Sequence, residues 1–175
     1  MVSPDEGMPD AGMPSAFEIA ATVPDPELPV LTLAELGILR EVREDGAAVT
    51  VTITPTYSGC PAMAEISHDL RHRLEQAGYT RVEIRTELSP PWSSDRITAD
   101  GRRKLAEAGI APPHPARRWT FGPIPLTLTP VARAINCPRC GSAATRETAE
   151  FSSTACKALY RCESCQEPFE YVKEL

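Results

Sequence analysis

The sequence predicts an α+β protein, in which a small α-β-β-α-β-α sandwich precedes a C-terminal zinc ribbon built on four cysteines. Three observations predict this fold class. Along residues 15–110, segments whose apolar residues have helical spacing are followed by segments in which apolar and polar residues alternate, as in strands. Five of the six cysteines lie in the last 39 residues, and four of them form two Cys-x2-Cys pairs. Six of the 18 prolines fall between Pro112 and Pro130, where a continuous helix cannot form because proline lacks an amide donor.

These patterns divide the 175 residues into four predicted segments. We expect a disordered tail over residues 1–14, an α+β domain over 15–110, a proline-rich linker over 111–134 and the zinc ribbon over 135–175. The length fits one ordinary domain with a second, small domain. It is too short for a barrel enzyme or for a two-lobed nucleotide-binding enzyme.

Charge and hydropathy exclude several classes of function. The net charge of −6 and the isoelectric point near 5.1 argue against tight non-specific binding to nucleic acid, which needs a basic surface. No apolar run reaches the ~20 residues that cross a bilayer. The acidic, proline-broken N-terminus lacks the basic start and apolar run of a secretory signal. We therefore expect a cytoplasmic protein whose clustered cysteines bind metal rather than form disulfides.

The first half of the α+β domain carries two helix starts and a hairpin. Ser15 followed by Glu18 fits a capping box and predicts a short helix from Phe17 to Val23. The same pattern at residues 32–35, ahead of a glycine at 37, predicts one helical turn. A strand is expected over residues 38–43. Asp45 and Gly46 then indicate a hairpin turn into a strand in which valine or isoleucine alternates with threonine over residues 49–54.

The second half of the domain adds a helix, a strand and a last helix. Pro61 can occupy the first position of a helix whose apolar stripe is Ile66, Leu70 and Leu74, and which ends near residue 78. On this helix, histidines 68 and 72 lie about 200° from the stripe, so we expect them to face solvent. Alternation at residues 82, 84 and 88 predicts the third strand, and a final helix is expected over residues 101–108.

Cys60 is the first candidate site. It lies between a predicted strand and a predicted helix, at the expected helix N-cap, where unpaired amides and the helix dipole can lower the pKa of a thiol. In that position it could act as a nucleophile or as a ligand for a soft metal. The alternative is a small buried thiol that only packs, because free cysteine is among the most buried residue types.

The C-terminal cysteines form the second and stronger candidate site. The ligands are Cys137 and Cys140 in the first pair and Cys162 and Cys165 in the second, with 21 residues between the pairs. Each Cys-x2-Cys turn supplies two thiolates to a tetrahedral ion, and short strands over residues 145–151, 157–160 and 169–172 would bring the turns together. We expect the bound metal to supply much of the folding free energy of this small module.

The identity of the metal and the role of the remaining thiol stay open at this level. Four thiolates also suit iron in a rubredoxin-like site, but such sites usually carry a glycine after both pairs, and here Gln166 follows the second. We therefore favour Zn²⁺. Cys156 could replace a ligand, join a cluster or be buried, and burial is favoured because the four-ligand set is complete without it.

The quoted residues resemble two known families. The Asp25–Val30 segment, the segment that ends in Cys60 and Pro61, and the segment around Trp92 and Asp95 resemble the small domain of iron–sulfur cluster assembly proteins, also called metal–sulfur cluster biosynthetic proteins. With the linker and the ribbon included, the chain from about residue 17 to 173 is similar to the D subunits of bacterial phenylacetyl-CoA epoxidases, which are also described as phenylacetate-CoA oxygenases.

The resemblance implies an accessory role in aerobic phenylacetate breakdown rather than catalysis of the epoxidation. Its implied partners are a di-iron oxygenase subunit, a structural subunit and a reductase with flavin and an iron–sulfur cluster. Carried over by position, Cys60 would hold iron or a nascent cluster transiently, and Asp25 and Glu27 would offer oxygen ligands or orient a partner. The alternative is an electron carrier between reductase and oxygenase that uses iron in the four-cysteine site.

Overall fold

The computed structural model describes residues 14–114 and 134–174. The tail expected over residues 1–14 lies outside the described residues except for Pro14, and most of the linker expected over 111–134 lies outside them as well. The described chain forms two compact units. The first contains residues 14–92 and 96–101, and the second contains residues 93–95, 102–114 and 134–174.

The first unit begins with two short helices that both start at capping boxes. Helix α1 spans Ala16–Ala21, and helix α2 spans Leu33–Leu36. The capping boxes, Ser15 with Glu18 and Thr32 with Glu35, satisfy amides at the two helix starts as predicted. Helix α1 ends two residues before the predicted Val23, because Thr22 forms its C-cap.

Gly37 ends α2 in a left-handed conformation that the surrounding chain requires. Its φ is 75°, and a β-carbon built on it would lie 2.5 Å from the Arg96 Cβ. The buried Trp92 also packs against the end of α2, because its indole Nε1 donates a 3.0 Å hydrogen bond to the Leu36 carbonyl. Trp92 and Arg96 therefore pack closely on the end of α2, and only glycine fits at position 37.

A three-stranded sheet follows, in the order β1-β2-β3. Strand β1 spans Leu39–Asp45, β2 spans Ala48–Ile53 and β3 spans Arg81–Thr86. Strands β1 and β2 pair antiparallel through the predicted hairpin, and β2 pairs parallel with β3. The β2 residues Val49, Val51 and Ile53 are buried as expected, but the prediction that Leu88 belongs to the third strand is wrong, since β3 ends at Thr86 and Leu88 is 58% exposed.

Helix α3 spans Met63–Gln76 and connects the two parallel strands. Its predicted stripe of Ile66, Leu70 and Leu74 is buried. The two histidines are exposed as expected, with parallel rings whose centroids are 6.3 Å apart. The predicted start is wrong: the N-cap is Ala62, so neither Pro61 nor Cys60 begins the helix. The reason is a separate turn before the helix, in which the Met63 amide bonds to the Cys60 carbonyl.

The last helix of the predicted sandwich, α4, spans Ala99–Glu107, two residues earlier than expected at its start. Thr98 helps to set this start, because its Oγ1 accepts a hydrogen bond from the Gly101 amide. No helix in the described parts of the chain combines the length and apolar character needed to cross a membrane.

The second unit contains a four-stranded sheet in the order β4-β7-β6-β5. Strand β4 spans Ile110–Ala111, β5 spans Thr145–Ala149, β6 spans Lys157–Cys162 and β7 spans Pro168–Val172. The last three are the predicted ribbon strands and pair antiparallel. Strand β4 was not predicted, and it pairs parallel with β7. Its Ala111 belongs to a buried cluster that also contains Ile135, Cys137, Ala158, Cys162, Phe169 and Tyr171.

Candidate functional site

The four ribbon cysteines form one compact cluster of sulfurs. The Sγ atoms of Cys137, Cys140, Cys162 and Cys165 all lie within 4.8 Å of one another. Two of these cysteines are buried and two are exposed, so the cluster lies at the surface of the second unit. The spacing of the cysteines in sequence and their clustering in space therefore agree.

The sulfur separations fit a tetrahedral thiolate site. The Cys137 and Cys165 Sγ atoms are 3.7 Å apart, and those of Cys140 and Cys162 are 3.6 Å apart. A tetrahedron with metal–sulfur bonds of about 2.3 Å has edges of about 3.8 Å. Each of these two distances joins one cysteine of the first pair to one of the second, so both pairs face a common centre. The donor set and its dimensions fit a thiolate-bound metal ion, and they suit Zn²⁺ and iron alike.

We call the two Cys-x2-Cys turns the knuckles. In each of them, the residue after the second cysteine has a left-handed backbone conformation, which we call the left-handed step. In the first knuckle the step is made by Gly141, with φ of 74°, and its amide bonds to the Cys137 carbonyl. In the second it is made by Gln166, with φ of 65°. The absence of a second glycine therefore does not change the knuckle backbone, and it does not by itself separate a zinc site from an iron site.

Direct contacts hold the two knuckles together. The Ser142 and Ser164 hydroxyls are 2.7 Å apart, and Arg139 forms a 2.7 Å ion pair with Glu167. The Glu163 amide also donates to the Ala144 carbonyl at 2.8 Å. These bonds join residues that are distant in sequence, so they help to hold the two cysteine pairs face to face.

Neighbouring groups of the cluster shift the pKa values of two of its thiols. The backbone amides of Cys165 and Ser164 donate toward Cys162 and, against desolvation, lower its pKa to about 6. The Glu167 amide acts to lower the pKa of Cys165, but desolvation and the three neighbouring sulfurs outweigh it and raise that pKa to about 12. Four thiolates at this spacing would repel one another, and a bound metal ion would compensate their charge.

Cys156 lies outside this cluster. It is buried, and its Sγ is 3.0 Å from the Thr154 hydroxyl. Next to it, the buried Lys157 ammonium forms a 2.9 Å ion pair with Glu170, which also accepts hydrogen bonds from Ser152 and Ser153. The sequence did not signal this ion pair, because a lysine in a short strand is usually exposed.

The Asp25 and Glu27 segment forms a hydrogen-bonded turn in the first unit. Asp25 is buried, and its Oδ1 accepts hydrogen bonds from the Glu27 amide at 2.9 Å and the Leu28 amide at 2.8 Å. The Asp25 amide in turn donates to the Leu31 carbonyl at 2.9 Å. One Asp25 oxygen therefore shapes the turn that presents Glu27, which is half-buried.

Cys60 lies in the connection between β2 and α3. It is half-buried, its amide donates to the Tyr57 carbonyl at 3.2 Å, and the exposed Ser58 and Gly59 precede it. Among the described residues, the four ribbon cysteines are the group of ligand atoms gathered closely enough for a metal ion, and that group includes neither Cys60 nor the two carboxylates. The roles of Cys60, Asp25 and Glu27 in binding iron or a cluster stay predictions.

Comparison with known proteins covers both halves of the chain. Residues 19–85 match the family described as iron-sulfur cluster assembly protein, and residues 123–173 match the family described as PaaD zinc beta ribbon domain. The second match begins in residues outside those that the structure describes and takes in all four clustered cysteines.

Individual relatives match most of the chain or about half of it. An Escherichia coli K12 protein described as a proposed D component of 1,2-phenylacetyl-CoA epoxidase is 43% identical over 157 residues, which is 90% of each chain. A Porphyromonas gingivalis W83 protein described as an Fe-S protein maturation auxiliary factor is 37% identical over 87 residues, covering 48% of this chain and 81% of its own. A domain of unknown function from Bacillus anthracis, a crystal structure, is 27% identical with a TM-score of 0.48, and the match covers 51% of this chain and 87% of that one.

Proposed function

The chain belongs to the family of D subunits of 1,2-phenylacetyl-CoA epoxidases, and we propose that it is an accessory subunit that helps to insert iron or an iron–sulfur cluster into a partner subunit of such an epoxidase. The proposed partners are a di-iron oxygenase subunit, a structural subunit and a reductase that carries flavin and an iron–sulfur cluster. The chain itself would not perform the epoxidation.

One observation carries this proposal. The relative named for the epoxidase aligns with 90% of this chain, so the similarity spans the assembly-type region and the four-cysteine ribbon together. The relative named for Fe-S protein maturation matches 48% of this chain. Maturation chemistry is therefore supported for part of the chain, and attachment to an epoxidase is supported for the chain as a whole.

In this proposal the first unit handles the cargo. Cys60 would bind iron or a nascent cluster transiently through its thiolate, which is the form of cysteine that binds metal. Its half-exposed position in a connection suits a ligand that must also release the metal. Glu27, on the turn shaped by Asp25, would offer an oxygen ligand or orient the partner.

The second unit would hold Zn²⁺ as a structural ion. The four thiolates complete its coordination, and a closed four-ligand site leaves no position for substrate. The ribbon would then act as a rigid attachment module. Its small buried cluster includes two of the metal ligands, Cys137 and Cys162, so metal binding and packing are directly linked.

A reconstitution experiment tests the proposal. The epoxidase components are produced with this protein, without it, and with its Cys60→Ser variant, and iron content and epoxidation rate are measured. We expect full iron and activity only with the wild type. A Ser58→Ala variant in the same connection is the matched control and should behave as the wild type. Full iron and activity without the protein, or with Cys60→Ser, would refute the proposed role.

Electron transfer is the second candidate function. It is favoured by the sulfur geometry, which suits iron, and by the equivalent left-handed steps at Gly141 and Gln166. The visible spectrum of the purified protein distinguishes the two metals, because a ferric thiolate site absorbs visible light and a zinc site does not. Elemental analysis of the wild type beside Cys137→Ser should find one Zn²⁺ lost in the variant, whereas stoichiometric iron would support the electron carrier.

A further inference from the structure

One face of the three-stranded sheet in the first unit is lined by charged residues, and we call it the charged face. Because side chains alternate along a strand, every second residue of β1, β2 and β3 points to this face. The opposite face carries the buried Val49, Val51 and Ile53. The charged residues of the charged face are all exposed, and they are Glu41, Arg43, Asp45, Arg81, Glu83 and Arg85.

The strand register arranges the charged face in three rows. In each row a small residue of β2 lies between one acidic residue and one arginine, which belong to the two outer strands. The acidic residue and the arginine change strands from one row to the next. The rows are Asp45, Ala48 and Arg81, then Arg43, Thr50 and Glu83, then Glu41, Thr52 and Arg85. Seven of these nine residues line one shallow groove, which confirms that they share a face.

The opposite charges of a row do not pair with each other within the chain. The outer strands are separated by β2, so their backbones lie about 10 Å apart. The side chains pair along the strands instead, where Arg43 is 2.9 Å from Glu41 and Arg85 is 2.9 Å from Glu83. Exposed pairs of this kind contribute little to stability. The alternation across all three rows is therefore more than the fold itself requires.

A second copy of the charged face complements it in one arrangement in which all three rows overlap. A twofold axis between the copies, parallel to the strands and above β2, places β1 of one copy over β3 of the other. Arg43 then faces the partner's Glu83, and the other two rows match in the same way. An axis that runs across the strands through the middle row would instead place every charge against a like charge. The symmetry of a dimer repeats each contact, which gives six contacts between opposite charges.

We propose that the charged face binds a second copy of this chain and forms a twofold-symmetric dimer through these six contacts. The face spans only about 10 Å across the strands and about 14 Å along them. This is far smaller than the ~800 Å² that each partner buries in a stable interface, so the dimer should be weak. Its contacts join exposed charges and should be screened by salt. The inference does not depend on metal binding at Cys60.

The first test measures the association state of the wild type. Analytical ultracentrifugation follows the zinc-loaded full chain over a range of protein concentrations, with a reducing agent present so that cysteines cannot crosslink. We expect a monomer–dimer equilibrium in about 20 mM salt, and a dissociation constant at least about ten-fold higher in about 500 mM salt. A wild type that stays monomeric at low salt, or that dimerises equally at both salt concentrations, would overturn the inference.

The second test reverses charges in the middle row. Arg43→Glu alone and Glu83→Arg alone each create two like-charge contacts, so each should weaken the dimer at least about ten-fold. The double variant restores opposite charges and should return to within about three-fold of the wild type. An equimolar mixture of the two single variants should also dimerise, because each supplies the charge that the other lacks. Arg71→Glu is the matched control, since Arg71 is exposed on α3 and the change in net charge is the same.

The outcomes separate self-association from other uses of this face. Thermal unfolding first establishes that each variant is folded, and the mixture keeps the test decisive if the double variant is not. Single variants that dimerise like the wild type, or a mixture that does not recover the dimer, would overturn the inference. A monomeric wild type that binds an epoxidase component, with that binding lost in Arg43→Glu, would assign the charged face to another subunit and refute the dimer.

Discussion

Gly141 and Gln166 show that a glycine and a residue with a β-carbon can take the same backbone conformation at equivalent positions. Both occupy the left-handed region after the second cysteine of a knuckle, with φ of 74° and 65°. Residues with a β-carbon pay a conformational cost there, and glycine does not. Gln166 recovers part of that cost, because its Nε2 donates a 2.8 Å hydrogen bond to the Glu163 carbonyl.

We predict opposite effects of substitution at these two positions. Gly141→Ala should destabilise the metal-loaded second unit by about 1 kcal/mol, through conformational cost alone, because a β-carbon there meets nothing within 4 Å. Gln166→Gly should stabilise it by up to about 1 kcal/mol, less the loss of one exposed hydrogen bond. Thermal unfolding of the metal-loaded proteins measures both, and a loss of stability in Gln166→Gly would contradict this account.

At the scale of elements, the pairing of β6 with β7 contains a buried ion pair. Only 5% of the Lys157 side chain is exposed, and its ammonium is 2.9 Å from Glu170. Desolvation acts to raise the pKa of Glu170, but hydrogen bonds from Ser152 and the charge of Lys157 outweigh it and hold that pKa below its usual value. The Lys157–Glu170 pair therefore links the two strands through satisfied polar groups.

Removal of one partner should cost more than removal of both. We predict that Lys157→Met destabilises the second unit by about 2–3 kcal/mol, because Glu170 keeps its charge without its cation. The double variant Lys157→Met with Glu170→Gln should recover at least half of that loss. Chemical denaturation measures the free energy of unfolding, and Arg103→Met, which breaks the exposed pair with Glu107, should cost below about 0.5 kcal/mol. Equal losses in the single and double variants would refute the coupling.

At the scale of the whole molecule, the two units differ in what stabilises them. The first unit has a core of its own, including the α3 stripe and the inner residues of β2. The second unit has a smaller buried cluster in which two of the seven residues are metal-binding cysteines. Stability of the second unit should therefore depend on the metal, whereas that of the first should not.

Metal removal should unfold one unit selectively. We predict that a strong chelator, or Cys137→Ser, abolishes amide protection in β5, β6 and β7 but leaves protection in α3 and β2 close to that of the metal-loaded protein. Hydrogen exchange with mass spectrometry measures both regions in one sample. Loss of protection in α3 at the same chelator concentration would show that the two units fold as one.

The second unit should also lose stability at high pH. Desolvation, followed by the Glu147 carboxylate, raises the pKa of Tyr160 to about 12, and desolvation with Glu174 raises that of Tyr171 to about 12. Unfolded tyrosine titrates near pH 10. The folded state thus favours the protonated phenols, so their contribution is complete below about pH 10 and is lost as the pH rises from about 10 to 12. Melting temperatures between about pH 9 and 12 should fall less steeply in Tyr160→Phe and Tyr171→Phe, and identical slopes would contradict the assignment.

Local signals predicted much of the fold because the forces behind them are local. A capping box joins residues three positions apart, and the stripe of Ile66, Leu70 and Leu74 needs only the helical period, so the predicted helices formed, with α1 and α3 differing from prediction at an end. The Asp45–Gly46 turn predicted the β1–β2 hairpin for the same reason. The cysteine pairs predicted the sulfur cluster because each Cys-x2-Cys turn supplies two ligands by itself.

The failures came where a distant part of the chain or a competing turn decided the outcome. Strand β4 forms because Ile110 and Ala111 pair with β7, about 60 positions away in sequence. No local sequence pattern near residue 110 predicts that pairing. Cys60 was placed at a helix cap because a proline follows it, but a separate turn intervenes and moves the helix start to Met63. Both patterns are locally ambiguous, and long-range packing resolved them.

The sequence alone therefore determined the secondary structure elements with strong local periodicity, the four metal ligands and the fold class, since each depends on spacing along the chain. The tertiary structure decided what depends on distance in space. It showed that the four ribbon cysteines gather into one cluster, that Gln166 takes the left-handed conformation that Gly141 takes in the first knuckle, and that Arg40 has a buried nitrogen without a partner in the described chain. Spacing along the chain does not give these features, because they depend on the conformation of individual turns and on which separate segments pack together.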